Sequence, residues 1–445
     1  MALSTQPYKG ARDFYPEDKR IQKFIFAKLR ETVERFGYEE YDAPVLEPLD
    51  LYLAKTSEEI VNEQTYAFED RGGRRVAIRP EMTPTVSRMV AAKRQELAYP
   101  LRWYSIPNLW RYERPQRGRL REHWQLNVDI FGVAGMAAEQ EIVMVADAIF
   151  RAFGAKRSMY TIRLNSRKFI DFMLREYLGL DSTQASSIGR LIDRIHKIDR
   201  ADFVVQAEAV LLPTQREQGV VQRLLDTLDA KRVTALPQQL QSHPALAELH
   251  QMLELLKASG ISNAEFDVTL MRGFDYYTDL VFEVFDTNPE NNRSMMGGGR
   301  YDGLVGLFGV EPVPTVGFGF GDVTLANFLE SHGLLPKLAP DTDVYAVIVG
   351  DASVAQRALR PITVLREHGV RVAVDITGRK LDKQFATAHK KGMHYALVIG
   401  EQELADEQYT LKNLQTGTEE KRGLPRIVSI IQDYRHPPEV LDSDL

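Results

Sequence analysis

Near the start of the chain, apolar positions recur three and four residues apart. Ile21, Phe24, Ile25, Leu29 and Val33 predict an amphipathic helix over 17–37, with Gly37 as its C-cap. The pattern then shortens. Residues 41–46 read as a strand-like stretch that Pro44 restricts to an edge or an interface, and 75–79 as a short strand stopped by Pro80. A helix is expected over 83–93 and another over 139–153. Between them, 101–111 and 125–131 read as two strands around a long polar loop, hairpin fashion. From Phe169 to Ser259 the period is mostly helical, with polar breaks at Leu212 and Pro213 and at His243 and Pro244, and with Ile188, Leu191, Ile192 and Ile195 on one face. Strand signals return at 266–270 and 280–285. This order predicts an α+β body of mostly antiparallel strands interrupted by a helical insert. Residues 331–343, with Gly333, Pro336 and Pro340, read as a linker. Beyond it, strands at 344–349, 370–374 and 395–399 alternate with helical stretches, the last near Ile427. That is the pattern of a compact α/β domain of about 100 residues.

Composition narrows the function. The 445 residues suit two to four domains. The absence of cysteine excludes a disulfide framework, thiol catalysis and Cys-ligated metal sites. The net charge of −6, from 56 Lys and Arg against 62 Asp and Glu, argues against a uniformly basic chain but leaves room for a local basic patch that binds nucleic acid. The first residues lack the apolar core of a signal peptide, and no run approaches the ~20 apolar residues that span a bilayer. A soluble intracellular protein is therefore expected.

Four segments carry candidate chemistry. RYERPQRGRLR at 111–121 packs Arg111, Arg114, Arg117, Arg119 and Arg121 into one loop. Arginine presents a planar fork that matches phosphate oxygens, so the loop suits polyphosphate or nucleic acid; a solvated charged loop is the plainer alternative. MGGGRYDGL at 296–304 lets backbone approach a ligand, yet it carries neither a Walker lysine nor a dinucleotide fingerprint, and could equally be a glycine turn between strands. LMRGFDYY at 270–277 sets an arginine and two tyrosines at a strand end, or else a packed aromatic pair with a surface arginine. RPEMT at 79–83 could hold an ammonium group through Glu81 and Thr83, or simply cap the next helix.

Taken in chain order on one α+β body, these segments resemble the histidyl-tRNA synthetases, a class II aminoacyl-tRNA synthetase family. The similarity begins at KGARDFYPED (9–18) and continues into the last domain. Pro44 within YDAPVLE (41–47) resembles the family's motif 1, and RYERPQ (111–116) through QLNVDIFG (125–132) its motif 2. RGFDYY (272–277) and GGRYDG (298–303) resemble its two histidine-specific signatures. The resemblance implies an antiparallel-sheet catalytic core with a helical insertion, followed by a C-terminal α/β anticodon-binding domain. The core would comprise 1–168 and 263–332, the insertion 169–262, the linker 333–343 and the anticodon-binding domain 344–445. It also implies ATP-dependent ligation of L-histidine to tRNA(His) through a histidyl-adenylate, in the cytoplasm, by a homodimer with no membrane association.

By the same resemblance, Arg111 would hold the α-phosphate and neutralise charge in the transition state, with Arg272 on its opposite side. Glu113 would meet the adenine amino group, His123 would stack on the base and Arg119 would reach the γ-phosphate. Mg2+ would bridge the phosphates, with no metal site of the protein's own. Glu81, Thr83 and Gln125 would accept from the histidine α-amino group, beside Arg272. Asp129 would accept from the imidazole, Tyr277 would serve its other nitrogen, and Tyr276 and Tyr301 would complete the pocket. Gln116 would lie near the tRNA acceptor end. Positive charge for tRNA would come from 111–121 and from Arg379, Lys380, Lys383, Lys390 and Lys391.

Three positions depart from the family pattern. Motif 3 usually ends in Glu-Arg-Leu, and its arginine clamps ATP; here the pair is Val323 and Thr324. Losing a charge-assisted phosphate contact costs ~1.5–3 kcal/mol, so either Arg119 or another basic group substitutes, or ATP chemistry is weakened. His123 stands where a larger aromatic is usual, and Met82 where a glycine is. These departures leave an alternative: a paralogue that does not aminoacylate and serves as a regulatory subunit of ATP phosphoribosyltransferase, or as a histidine sensor.

Overall fold

The structure, a computed structural model, describes residues 3–53, 64–271, 276–291 and 293–435. The chain divides into two units, Met1–Asp13 with Phe24–Leu335 and Phe14–Lys23 with Pro336–Leu445. Each has its own sheet and core.

In chain order the strands of the first unit are β1 (Glu39–Glu40), β2 (Leu46–Pro48), β3 (Tyr66–Glu69), β4 (Arg75–Ile78), β5 (Leu101–Ser105), β6 (Asn108–Trp110), β7 (Glu122–Phe131), β8 (Tyr160–Ser166), β9 (Ala264–Phe266), β10 (Leu280–Asp286), β11 (Ser294–Arg300) and β12 (Thr315–Gly321). Among the described residues, β2, β4 and β3 form a small antiparallel sheet. The other nine form one sheet, ordered β1-β5-β7-β12-β11-β10-β8-β9, with β6 also paired to β7. All of its pairings are antiparallel except at the two ends, β1 on β5 and β9 on β8. The expected antiparallel α+β body is therefore present.

Period-two alternation gives the sheet two different faces. On β7, Leu126, Val128 and Ile130 are buried, and the helix Ala137–Ala152 packs on β7 and β12, bringing Phe150 to 5.3 Å from Phe320. The alternate residues His123, Gln125, Asn127 and Asp129 line a cavity on the other face. The insert runs from Arg167–Phe172 to Pro244–Ala258 through short helices. Asp181 and Gln184 form a reciprocal capping box at the start of Ser182–Ile192, whose Ile188, Leu191 and Ile192 are buried.

Several local expectations are corrected. Residues 41–45 are not a strand: the Arg79 guanidinium donates to the Ala43 carbonyl at 2.6 Å and to Asp42 at 3.2 Å, taking up groups that a ladder would have used. The strand expected over 266–270 ends at Phe266, because Asp267 accepts from the Thr269 N–H and Asn165 reaches the Val268 and Leu270 carbonyls. The expected breaks at Leu212 and Pro213 and at His243 and Pro244 are present, each proline standing at the first position of the helix that follows. The glycine run at 297–299 is a central strand, β11, and not a turn. The helix expected over 17–37 is Pro16–Glu34, and Gly37 follows it at φ +80°.

The second unit has β13 (Val344–Val349), β14 (Val372–Val374), β15 (Tyr395–Gly400), β16 (Tyr409–Asn413) and β17 (Glu419–Arg422), ordered β14-β13-β15-β16-β17. The first three are parallel. β16 and β17 extend the sheet as an antiparallel hairpin that the strand pattern did not signal. The helices Ala352–Glu367 and Leu424–Arg435 bury Ile362, Leu365, Ile427 and Ile431 on one face, and Leu381–Lys390 covers the other with Ala388.

Candidate active site

On the open face of the first unit's sheet lies a cavity of about 1850 Å³. Its floor is stripped of side chains. Gly317 pairs with Asp129, Gly319 with Asn127 and Gly321 with Gln125. A Cβ on Gly317 would sit 2.0 Å from the Asp129 carboxylate, and one on Gly319 would sit 2.8 Å from the Gln125 amide. These glycines leave the space into which the β7 side chains project.

One end of the floor is aromatic and dry. Asp129 is fully buried and accepts from the Tyr301 hydroxyl at 2.5 Å. Burial pushes its carboxyl up to about 7, against the lowering effect of that bond. Tyr276 donates to Glu81 at 3.2 Å. The rings of Tyr276, Tyr277 and Tyr301 pack mutually at 5.0–6.4 Å, and burial raises all three phenol pKa values, so they remain donors. Glu81 and Thr83 do not cap the next helix: its N-cap is Met82, with no side-chain cap bond, and both residues line the cavity. The sequence reading missed Arg300 and Asp302. Buried Arg300 makes a bidentate pair with Glu139 and bonds the Val133 carbonyl at 3.0 Å and Asp302 at 3.1 Å, bracing Tyr301 from behind. Their place inside the GGRYDG run was the available signal.

The other end is cationic. β6 and β7 form a hairpin that turns tightly between Gln116 and Arg119, with Gly118 at φ +76°. Its arginines divide by role. Arg111 and Arg119 line the cavity. Arg111 Nε donates to the Pro80 carbonyl at 2.8 Å, and Arg119 lies 3.3 Å from the Glu113 carboxylate. Arg121 instead braces the hairpin: it is buried, donates to Tyr8 at 2.9 Å and to the Glu113 carbonyl at 3.1 Å, and stacks 3.9 Å over Tyr112. Arg117 turns outward to Asn291 and Glu290, and Arg114 is exposed. Gln116 sits at the hairpin tip, outside the main cavity, and accepts from Arg293 at 2.8 Å.

His123 lies between the two ends. Burial first, then the charges of Arg111, Arg12 and Arg119, push its pKa down to about 3, which keeps it a neutral aromatic plane. Arg12 is held by Asp322 at 2.7 Å, and Asp322 also accepts from the Trp124 N–H at 3.0 Å. At the position of the missing motif 3 arginine, the Thr324 hydroxyl is shared between the carbonyls of Met295 (2.8 Å) and Gly321 (3.0 Å). The structure thus brings Glu81, Thr83, Arg111, Glu113, Arg119, His123, Gln125, Asp129, Tyr276, Tyr277 and Tyr301 around one cavity. Arg272 lies outside the described residues.

Such a floor, with a carboxylate sealed against a tyrosine at one end and arginines at the other, can hold a small zwitterion against a polyphosphate. Comparison with known proteins agrees. The histidyl-tRNA synthetase family model matches residues 10–322, and the anticodon binding domain model matches residues 343–434. A histidine–tRNA ligase from Leptospira biflexa is 45% identical over 414 residues, covering 93% of this chain and 94% of that protein. One from Thermoplasma volcanium is 37% identical over 430 residues, 97% of this chain and 99% of that protein. The fold matches the crystal structure of a histidyl-tRNA synthetase from Nostoc with a TM-score of 0.81 at 24% identity, covering 97% of this chain and 100% of that one.

Proposed function

The chain belongs to the histidyl-tRNA synthetase family, and from that premise we propose how its cavity carries out the family's reaction. The protein is a ligase that joins L-histidine to tRNA(His) at the expense of ATP. A role as a regulatory subunit or histidine sensor is not favoured, since relatives spanning nearly the whole chain are ligases.

In the first step, a histidine carboxylate oxygen attacks the α-phosphorus of ATP and pyrophosphate leaves. In the second, the 3′-terminal ribose hydroxyl of tRNA attacks the carbonyl of the histidyl-adenylate and AMP leaves. Arg111, with Arg272, stabilises charge on the α-phosphate; Arg119 takes the γ-phosphate; Glu113 and His123 hold adenine. Glu81, Thr83 and Gln125 accept from the α-amino group, and Asp129 and Tyr277 read the two imidazole nitrogens. The observation that carries this reading is the cavity itself: buried Asp129 on Tyr301 at one end of a glycine floor, Arg111 and Arg119 at the other. Histidine-dependent ATP–pyrophosphate exchange tests it, and histidine binding without exchange would overturn it.

Among the described residues there is no group of three or more His, Asp or Glu side chains suited to a metal cage. Mg2+ carried on the ATP phosphates would ask for only one or two carboxylates, and Glu283, which lines the cavity from β10, would be one of them. It would neutralise phosphate charge there.

The insertion lines the same cavity with Arg175, Arg190, Arg194 and Lys197, which supports contact with the acceptor arm; Gln116 at the hairpin tip would approach its end. The second unit is the anticodon-binding domain, and Arg379, Lys380, Lys383, Lys390 and Lys391 are its proposed basic track. No described helix is long and apolar enough to cross a membrane, and a cytoplasmic location is proposed. Motif 1 exposes Val45 and Leu46 at 48% each, and β3, two strands from β2 in the same small sheet, exposes Phe68, also at 48%. Such a patch suits a homodimer. Light scattering is expected to give the mass of two chains, and Leu46→Glu to shift it towards one.

The titration of Asp129 has a direct consequence. Its folded pKa is raised, so the empty pocket gains a proton as pH falls through about 7. The ionised form accepts an imidazole N–H more strongly than the protonated one, which must also place its own proton. The KM for histidine is therefore expected to rise below about pH 7, by at most about tenfold per pH unit. Free histidine titrates nearby as well. In Asp129→Asn only the substrate's own dependence should persist, and identical profiles for the two proteins would refute the assignment.

A further inference from the structure

The phosphate end of the site is under-supplied with positive charge at one place. Where the last strand of the floor meets its helix, Thr324 carries no charge and its hydroxyl is occupied by backbone. Asp322, in the first turn of the same helix, is acidic and takes up the charge of Arg12 at 2.7 Å. Arg119, on the hairpin, is offset by Glu113. The hairpin tip packs beside Thr324: a Cβ on Gly118 would be in ordinary contact with Thr324 Cγ2, at 3.5 Å.

A second cavity, of about 260 Å³, lies behind this point. Gly118, Met295 and Thr324 line both cavities and form the wall between them. On the far side stand two arginines. Arg117 faces a carboxylate, Glu290 at 3.8 Å, and bonds Asn291 at 3.1 Å. Arg293, at the start of β11, is exposed, and its hydrogen bond is to a neutral amide, Gln116 Oε1 at 2.8 Å. Exchanging that bond for one to a phosphate oxygen replaces a neutral acceptor by a charged one and needs no carboxylate to be abandoned.

We propose that Arg293 is a phosphate-binding residue of the ATP site, which leaves Gln116 and reaches over Thr324 to the triphosphate tail. It supplies from β11 the charge that the helix after β12 lacks. Shortening position 324 to threonine and seating the hairpin tip beside it are then compatible with tight ATP binding, because the cation arrives from the neighbouring strand. This assignment rests on the ATP-dependent ligase reading above.

Pyrophosphate exchange with purified full-length protein separates the two. Without histidine-dependent exchange in the unmodified protein, the ligase reading itself falls. With it, Arg293→Ala is expected to raise the KM for ATP about tenfold or more and to leave the KM for histidine in place. Arg293→Lys, which keeps the charge, should recover most of the loss. An unchanged KM for ATP in Arg293→Ala, equal losses in the Ala and Lys variants, or a defect confined to tRNA charging would each overturn the assignment while leaving the ligase reading intact.

Discussion

Alanine at Arg111 is expected to lower histidine-dependent pyrophosphate exchange about 10²–10³-fold, the usual cost of removing one preorganised donor from a developing oxyanion. The side chain is well placed for such an effect. Its Nε is fixed on the Pro80 carbonyl, one residue before Glu81, so the guanidinium proposed to meet the phosphate also anchors the turn proposed to meet the α-amino group. Its charge further helps to keep His123 neutral. Removal should therefore lower kcat and raise the KM for ATP together. The fold should persist, because Arg121, not Arg111, braces the hairpin through Tyr8, Tyr112 and the Glu113 carbonyl. Exchange within about threefold of the unmodified protein, at an unchanged melting temperature, would remove Arg111 from the mechanism.

Gly317→Ala is expected to cripple histidine binding through a single methyl group. The added carbon would lie 2.0 Å from the Asp129 carboxylate and 2.6 Å from the Val128 carbonyl. Neither can yield easily, since β7 and β12 are bonded to one another along their whole contact in the middle of the sheet. The overpacking costs ~1–3 kcal/mol of stability. The functional cost is larger, because Asp129 is pushed off Tyr301 and out of register with the imidazole. The KM for histidine should rise well over tenfold, and the KM for ATP far less. Thermal unfolding and the two KM values measure both effects. A histidine KM close to that of the unmodified protein would mean that the glycine floor does not shape the pocket.

The two variants also show where the sequence was legible. Arg111, Asp129 and Tyr277 were singled out by the family resemblance, and the structure brings all three to one cavity. The architecture of alternating strands and helices in the second unit was equally readable, since parallel strands buried on both faces leave continuous apolar runs such as those at 344–349 and 395–399. Less was visible where a side chain acts on backbone. Arg79 unmade a strand at 41–45, and the Asp267 turn ended another. The charged, exposed strand β17 carries no apolar alternation at all.

Sequence by itself determined the alternation of most elements and the family resemblance, and through that resemblance the groups proposed to meet histidine and ATP. Only the tertiary structure decided which of five neighbouring arginines line the cavity. Arg111 and Arg119 line the cavity, Arg121 is a buried strut and Arg117 faces away. The same holds for the glycines at 297–299, for which a turn was an open alternative and which lie in a central strand, and for Gly317 and Gly319, whose place in the cavity floor only the strand pairing shows. Residue type and spacing set what a side chain can bond. Which partner it meets depends on strand register and on chain segments far away in sequence, such as Tyr8 for Arg121 and Arg293 for Gln116.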